Sequence, residues 1–323
     1  MSVDFGTKIL RLKEEIDREL SKIDLSGISS ELVQPMRFSL NAKAKRLRPI
    51  LVLLVGENLG ASLKNLIPAA LAIEIMHTFT LVHDDIMDND TIRRGQQTVH
   101  VKWNVNTAIL TGDALMALAF RTLMQTKSER LDQIGTHFSQ AMLEICDGQA
   151  FDLAYEKYDE IDLTDYLNMI ARKTGRLLGL ACQLAAIIAD SSPKVVNNLY
   201  LFGLELGQAF QIQDDLLELT ADQAEMGKSL GSDLTAGKKT FPIIMALNEL
   251  PASQRADLLN FLKANAGNRQ AIVQQLTKRG SIQQTEAMIA RLFKNARERL
   301  HNMPDQLQSD LINLIELIAG RQS

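Results

Sequence analysis

Cysteine is nearly absent from this chain of 323 residues, with two in all, Cys146 and Cys182. They lie far apart and form no CxxC, so the sequence offers neither a disulfide framework nor a cysteine zinc site. Both read as ordinary buried thiols. Aromatic side chains are scarce too, at 5% against 46% hydrophobic residues overall. The apolar content is therefore carried by Leu, Ile, Ala, Val and Met, most of which favour helices. Only seven prolines and 18 glycines interrupt the chain, and no alternating β-branched run persists long enough to mark a strand. Excess positive charge is missing as well. A formal net charge of −4 and a pI near 5.8 exclude the basic footprint of a sequence-independent nucleic-acid binder.

The N-terminal Met-Ser-Val-Asp-Phe carries an acid where a signal peptide needs bases, and no apolar stretch follows it. The longest apolar run, Leu177 to Ala189, is interrupted by Gln183 and falls short of a bilayer span. The expectation is a soluble, cytoplasmic protein with no transmembrane segment and no nucleic-acid partner.

What the chain does have is helical periodicity almost everywhere. The spacing predicts helices near 6–22, 30–41, 49–58, 65–87, 106–125, 130–154, 163–189, 193–219, 240–249, 253–264, 268–278, 281–301 and 305–319. Turn chemistry separates them at 24–27, 89–98, 190–193 and 221–239. Without a low-complexity linker or a shift in composition, 1–323 reads as a single all-α domain. The segment 221–239 is unusual for its length and for Gly227, Gly231 and Gly237 beside Lys228, Lys238 and Lys239. Such a loop is either a solvated surface or a place where backbone and ammonium groups meet an anion.

Two acidic clusters carry the chemistry. In Asp84-Asp85-Ile86-Met87-Asp88, helical spacing puts Asp84 beside Asp88 and Asp85 beside Asp88. Such like-charge pairs cost roughly 0.2–0.5 kcal/mol each on an exposed helix. They also close an apolar helix at the end where its dipole disfavours negative charge. Asp214-Asp215-Leu216-Leu217-Glu218 repeats the spacing at the end of another apolar helix. One such cluster can be a solvated helix end. Two of the same spacing point to a divalent cation, and hard carboxylate oxygens on one open face suit Mg²⁺, which shares its ligands with phosphates. Basic groups accompany them: Lys45, Arg46 and Arg48 before Pro49, Arg93 and Arg94 after the first cluster, Lys173-Thr174 within an apolar helix, and Lys228 and Lys238 in the glycine loop. Guanidinium forks and ammonium groups are what a diphosphate needs, both for binding and as a leaving group.

Taken in order, these residues resemble the trans-prenyl diphosphate synthase (polyprenyl synthetase) family over nearly the whole chain. His83 through Asp88 with Arg93-Arg94-Gly95 is similar to its first aspartate-rich motif. Gln211 through Asp215, with Gly227-Lys228, Gly231-Ser232-Asp233-Leu234 and Gly237-Lys238-Lys239-Thr240, is similar to the second. The resemblance implies an all-α bundle of long antiparallel helices around a central apolar cavity, usually a homodimer, and three magnesium ions per active site. It assigns metal binding to Asp84, Asp88 and Asp214, with Asp85 and Asp215 in support. The catalytic set it implies is completed by Lys173 and Lys228. Arg93, Lys173, Lys228 and Lys238, with Thr174 and Gln211 nearby, are to hold an allylic diphosphate. Lys45, Arg48, His77 and Arg94 are to hold isopentenyl diphosphate, although His77 alone would read as a core histidine. Two departures stand out: Glu218 replaces the usual third aspartate, and Lys43-Ala44 replaces a usual glycine pair.

The expected product is geranylgeranyl diphosphate, with farnesyl diphosphate next and longer polyprenyl diphosphates as an alternative. In the family an aromatic at the position of Phe79 acts as the floor of the product tunnel; small Thr80 lies beside it, and Met76 is the alternative floor. A terpene cyclase or head-to-head synthase, and a non-catalytic regulatory subunit of a synthase, are the competing readings.

Overall fold

In the computed structural model, residues 5–158, 160–220 and 238–320 are described. Leucine, isoleucine and alanine at helical spacing make helices wherever the sequence shows that spacing, with ends one or two residues from those expected. In chain order they are α1 (Phe5–Ser21), α2 (Ser30–Leu40), α3 (Leu47–Asn58), α4 (Leu63–Met87), the short α5 (Val99–Lys102), α6 (Val105–Leu123), α7 (Leu131–Tyr155), α8 (Leu163–Ile170), α9 (Arg176–Ile188) and α10 (Pro193–Thr220). Helices Phe241–Asn248, Ala252–Ala264, Arg269–Lys278, Ser281–Arg299 and Asp305–Ala319 complete the described chain. The all-α class expected from composition is the one observed.

Cys146, expected to be buried, is exposed, and three features of the backbone depart from the sequence expectation. Ile92–Arg93 and Gln96–Gln97 pair as an antiparallel hairpin, although two-residue strands are too short to show alternation. Its loop, Arg94-Gly95, has φ of 53° and 75°, the double positive φ of a type I′ turn, and glycine at the second position makes that turn accessible. Helix α5 follows it directly. Finally, the expected helix over 163–189 is divided by a π-helical turn, Ala171–Gly175. Tyr166, Met169 and Ile170 set a buried stripe that a regular helix would continue through Lys173. The widened turn absorbs one residue, so burial resumes at Thr174 while Lys173 keeps some solvent contact. Helix α7 comes so close here that a Cβ on Gly148 would lie 2.5 Å from the Lys173 backbone nitrogen.

The described residues fall into two compact units interleaved along the sequence. The first comprises 5–139, 180–200 and 302–313. Its inner helix is α4, apolar all round, and α3 and α6 pack along it. By length and composition α4 could cross a membrane, yet 67% of its most apolar stretch is buried inside the protein. The second unit comprises 140–179, 201–301 and 314–320 in its described residues. One of its cores joins Leu219 of α10 to Ile243 and Leu247, and to Leu258, Ile272 and Leu276 of the helices that follow.

Candidate active site

In the first unit the acidic motif closes α4 as expected. Asp84 and Asp88 lie one turn apart, and the Asp88 backbone N–H donates to the Asp84 carbonyl at 2.8 Å. Asn89, at φ 54°, ends the helix. Both carboxylates are half-buried, whereas Asp85 is buried on another face. There the Arg93 guanidinium donates from Nε to Asp85 and from Nη2 to Asp90 at 2.9 Å. Burial outweighs the nearby Arg93 charge and pushes the Asp85 carboxyl up to about 6. The hairpin therefore ties Arg93 to the motif, and its turn carries the half-buried Arg94.

Two turns earlier on α4, roughly 10 Å along its axis, His77 lies 3.0 Å from Arg48 Nη1. A rim of His77 touches solvent, but enclosure by the protein and the charges of Arg48, Arg94, Arg93 and Arg46 hold its imidazole well below the usual range. Lys45, three residues before Arg48, is exposed. Lys45, Arg48, His77 and Arg94 all belong to this unit. His77 is neutral when folded and titrates near 6.5 when unfolded, so the unfolded chain binds more protons below that pH. The stability difference rises with pH up to about 6.5 and is lost below it, by up to about 1.4 kcal/mol at pH 5.5. Urea midpoints at pH 7.5 and 5.5 should differ less in His77→Gln than in the parent; equal differences would assign the slope to other groups.

In the second unit, Asp214 and Asp215 close α10. Asp215 is buried and fully engaged, accepting from the Tyr166 hydroxyl, from Gln211 Nε2 at 3.0 Å and from the backbone N–H of Phe241 at 3.0 Å. It therefore secures the start of helix Phe241–Asn248. Gln211 in turn accepts from the Thr174 hydroxyl at 2.8 Å. Asp214 and Glu218 are half-buried on the same helix end. Lys173 donates to Asp152 at 2.5 Å, and Lys238 lies 3.8 Å from the same carboxylate. Lys173, Gln211, Asp215, Lys238, Asp152 and Tyr166 line one cavity of about 70 Å³. The structure thus brings Lys173, Thr174, Gln211, Asp215 and Lys238 together. Lys228 and the glycines of 221–237 lie outside the described residues. Asp152 and Tyr166 were not expected: a lone acid on a long helix and a lone tyrosine carry no periodic signal, and only the proximity of Asp152 to two lysines gives it meaning.

The polyprenyl synthetase family profile matches residues 29–279. The geranylgeranyl diphosphate synthase of Methanosarcina mazei is 33% identical over 313 residues, covering 94% of this chain and 96% of that protein. The geranylfarnesyl diphosphate synthase of Natronomonas pharaonis is 36% identical over 312 residues, covering 88% of this chain and 89% of that protein. Among solved structures, the geranylgeranyl pyrophosphate synthetase of Pyrococcus horikoshii superposes with a TM-score of 0.91 at 33% identity, covering 99% of this chain and all of that one. The motifs, the all-α architecture and these matches agree along the chain, which belongs to the polyprenyl synthetase family.

Proposed function

We propose that this trans-prenyltransferase condenses isopentenyl diphosphate head to tail with an allylic diphosphate, in the cytoplasm and as a homodimer, with geranylgeranyl diphosphate as its main product. One observation carries the reading. A single helix, α4, ends in a carboxylate pair suited to a hard cation, and two turns earlier it presents a histidine surrounded by arginines. Those are places for two diphosphates, one held with metal and one by guanidinium groups. A terpene cyclase needs only the first, and a regulatory subunit would not need to keep both acidic motifs.

The donor set fits magnesium. Asp84 and Asp88 offer hard oxygens one turn apart, and among the described residues no three acidic, imidazole or thiol groups converge on one point. Mg²⁺ held there would be expected to keep waters and to share its ligands with a diphosphate. Bound Mg²⁺ supplies positive charge that stabilises the departing diphosphate. The family resemblance assigns Arg93, Lys173, Lys228 and Lys238 to this leaving group, where hydrogen bonds they donate would let the allylic C–O bond break with its electron pair on oxygen. Lys45, Arg48 and Arg94 hold isopentenyl diphosphate so that its double bond attacks the allylic cation. Loss of a proton then restores an alkene. His77, depressed far below neutrality, is a poor acceptor for that proton, whereas the released diphosphate is a good one. Apolar helix faces keep water from the cation.

Incubation with radiolabelled isopentenyl diphosphate and allylic primers of several lengths tests this, with a labelled twenty-carbon diphosphate expected. Release of a hydrocarbon would indicate a cyclase, and no incorporation with any primer would remove the activity. The two basic sets should also separate kinetically. Lys45→Ala and Arg48→Ala should raise KM for isopentenyl diphosphate by about 10- to 100-fold with little change for the primer, and Lys238→Ala should do the reverse. Equal effects on both substrates would refute the partition. The dimer is supported by Val105 and Ile109, 47% and 42% exposed one turn apart on α6, an apolar strip that a second copy would cover.

A further inference from the structure

The proposed isopentenyl diphosphate subsite begins at a turn where Lys43-Ala44 replace the glycines usual in the family. The left-handed conformation falls instead on Arg46, at φ 53° and ψ 32°, a region that side chains disfavour. What holds it there is the guanidinium itself. Nε donates to Asp17 of α1 at 2.9 Å, and Nη1 donates to Glu74 of α4 at 2.6 Å. Nη2 donates to the carbonyls of Leu40 and Ala42, at 2.8 and 3.2 Å, where α2 ends. Arg46 is 5% and Glu74 1% exposed, so neither can meet a ligand from solvent. Yet Lys45 precedes Arg46 directly, Arg48 follows two residues later, and Glu74 lies one turn before His77 on α4. Glu74 also places a compensating charge near Arg94.

We propose that the buried Arg46–Glu74 pair is the positioning device of the isopentenyl diphosphate subsite, locking the turn that presents Lys45 and Arg48 against His77. The inference rests on the assignment of Lys45, Arg48, His77 and Arg94 to that substrate. It assigns to Arg46 a role distinct from that of its basic neighbours: it acts through the backbone and never touches the diphosphate. A salt bridge serving stability alone would leave the choice between substrates untouched.

The test is a KM comparison for both substrates, alongside thermal melting. Arg46→Met/Glu74→Leu replaces the pair by apolar groups of similar volume, which preserves packing without leaving a buried charge unpaired. Asp17→Asn removes only the half-exposed outer partner. In the double variant KM for isopentenyl diphosphate should rise about 10- to 100-fold, with the primer KM within about twofold. Asp17→Asn should shift the same constant in the same direction by about two- to fivefold. An unchanged KM for isopentenyl diphosphate in folded protein, or equal rises for both substrates, would overturn the proposal. If the double variant does not fold, Asp17→Asn decides by the same criterion. Arg48→Ala serves as the control. Should it leave KM for isopentenyl diphosphate unchanged, the subsite assignment itself fails; should it act selectively while the clamp variants do not, only the clamp is wrong.

Discussion

Asp84→Ala and Asp214→Ala should each lower turnover by about three orders of magnitude or more, because each removes a contact that matters most as the diphosphate departs. The helical fold should survive both. Asp84 sits in the last turn of α4 with Asp85 and Asp88 as neighbours, so its charge opposes both the helix dipole and two carboxylates. Its charge also attracts the nearby Arg93 guanidinium, so removing it is expected to change stability by no more than about 1 kcal/mol while activity collapses. Asp85→Asn should behave differently, since it breaks the buried partner of Arg93 and loses stability along with activity. Circular dichroism melts and turnover at saturating substrate separate these cases. Removal of divalent cations with EDTA should reproduce the loss, with restoration by added Mg²⁺. Full activity in EDTA, or in either alanine variant, would sink the metal assignment.

The second large effect is expected at Phe79. Its ring is 7% exposed and meets His83 edge to face at 5.0 Å between centroids. His83 lies 3.2 Å from the Ile109 carbonyl of α6. Phe79 lies five residues before Asp84, so it sits roughly 7–8 Å deeper along α4. That depth suits a floor beneath a tail growing away from the acidic motif. Phe79→Ala should give products longer than those of the parent, at a stability cost of about 3–5 kcal/mol for the lost aromatic packing. Phe79→Leu should shift the products less and keep more stability. Mass spectrometry of the dephosphorylated alcohols reads the chain length. An unchanged profile in a folded Phe79→Ala protein would place the floor elsewhere, with fully buried Met76 the next residue to test.

The helices are legible in the sequence itself. Leu, Ile and Ala recur at helical spacing with few breakers, and the acidic clusters stand out because each sets like charges at helical spacing near the end of an apolar helix. What stayed hidden depends on contacts between distant segments. The left-handed Arg46 needs Asp17 and Glu74, 29 and 28 residues away, to hold it. Asp215 looks like Asp214 in the sequence, yet three donors from three elements occupy it, and no spacing rule distinguishes the two. Asp152 gains significance only when Lys173 and Lys238 arrive beside it. The Arg94-Gly95 hairpin is too short for periodicity, although its Arg-Arg-Gly stands out by charge.

The π turn at Ala171–Gly175 gives the helix two angular phases, one before it and one after. A helix shortened there by one residue would regain regular geometry throughout. Were the removed residue one that follows Lys173, that side chain would fall into line with Tyr166, Met169 and Ile170, driving an ammonium group into the apolar stripe and away from Asp152. At this turn the most regular backbone and the correctly aimed charge are alternatives. The chain retains the extra residue, and with it a helix out of step with itself.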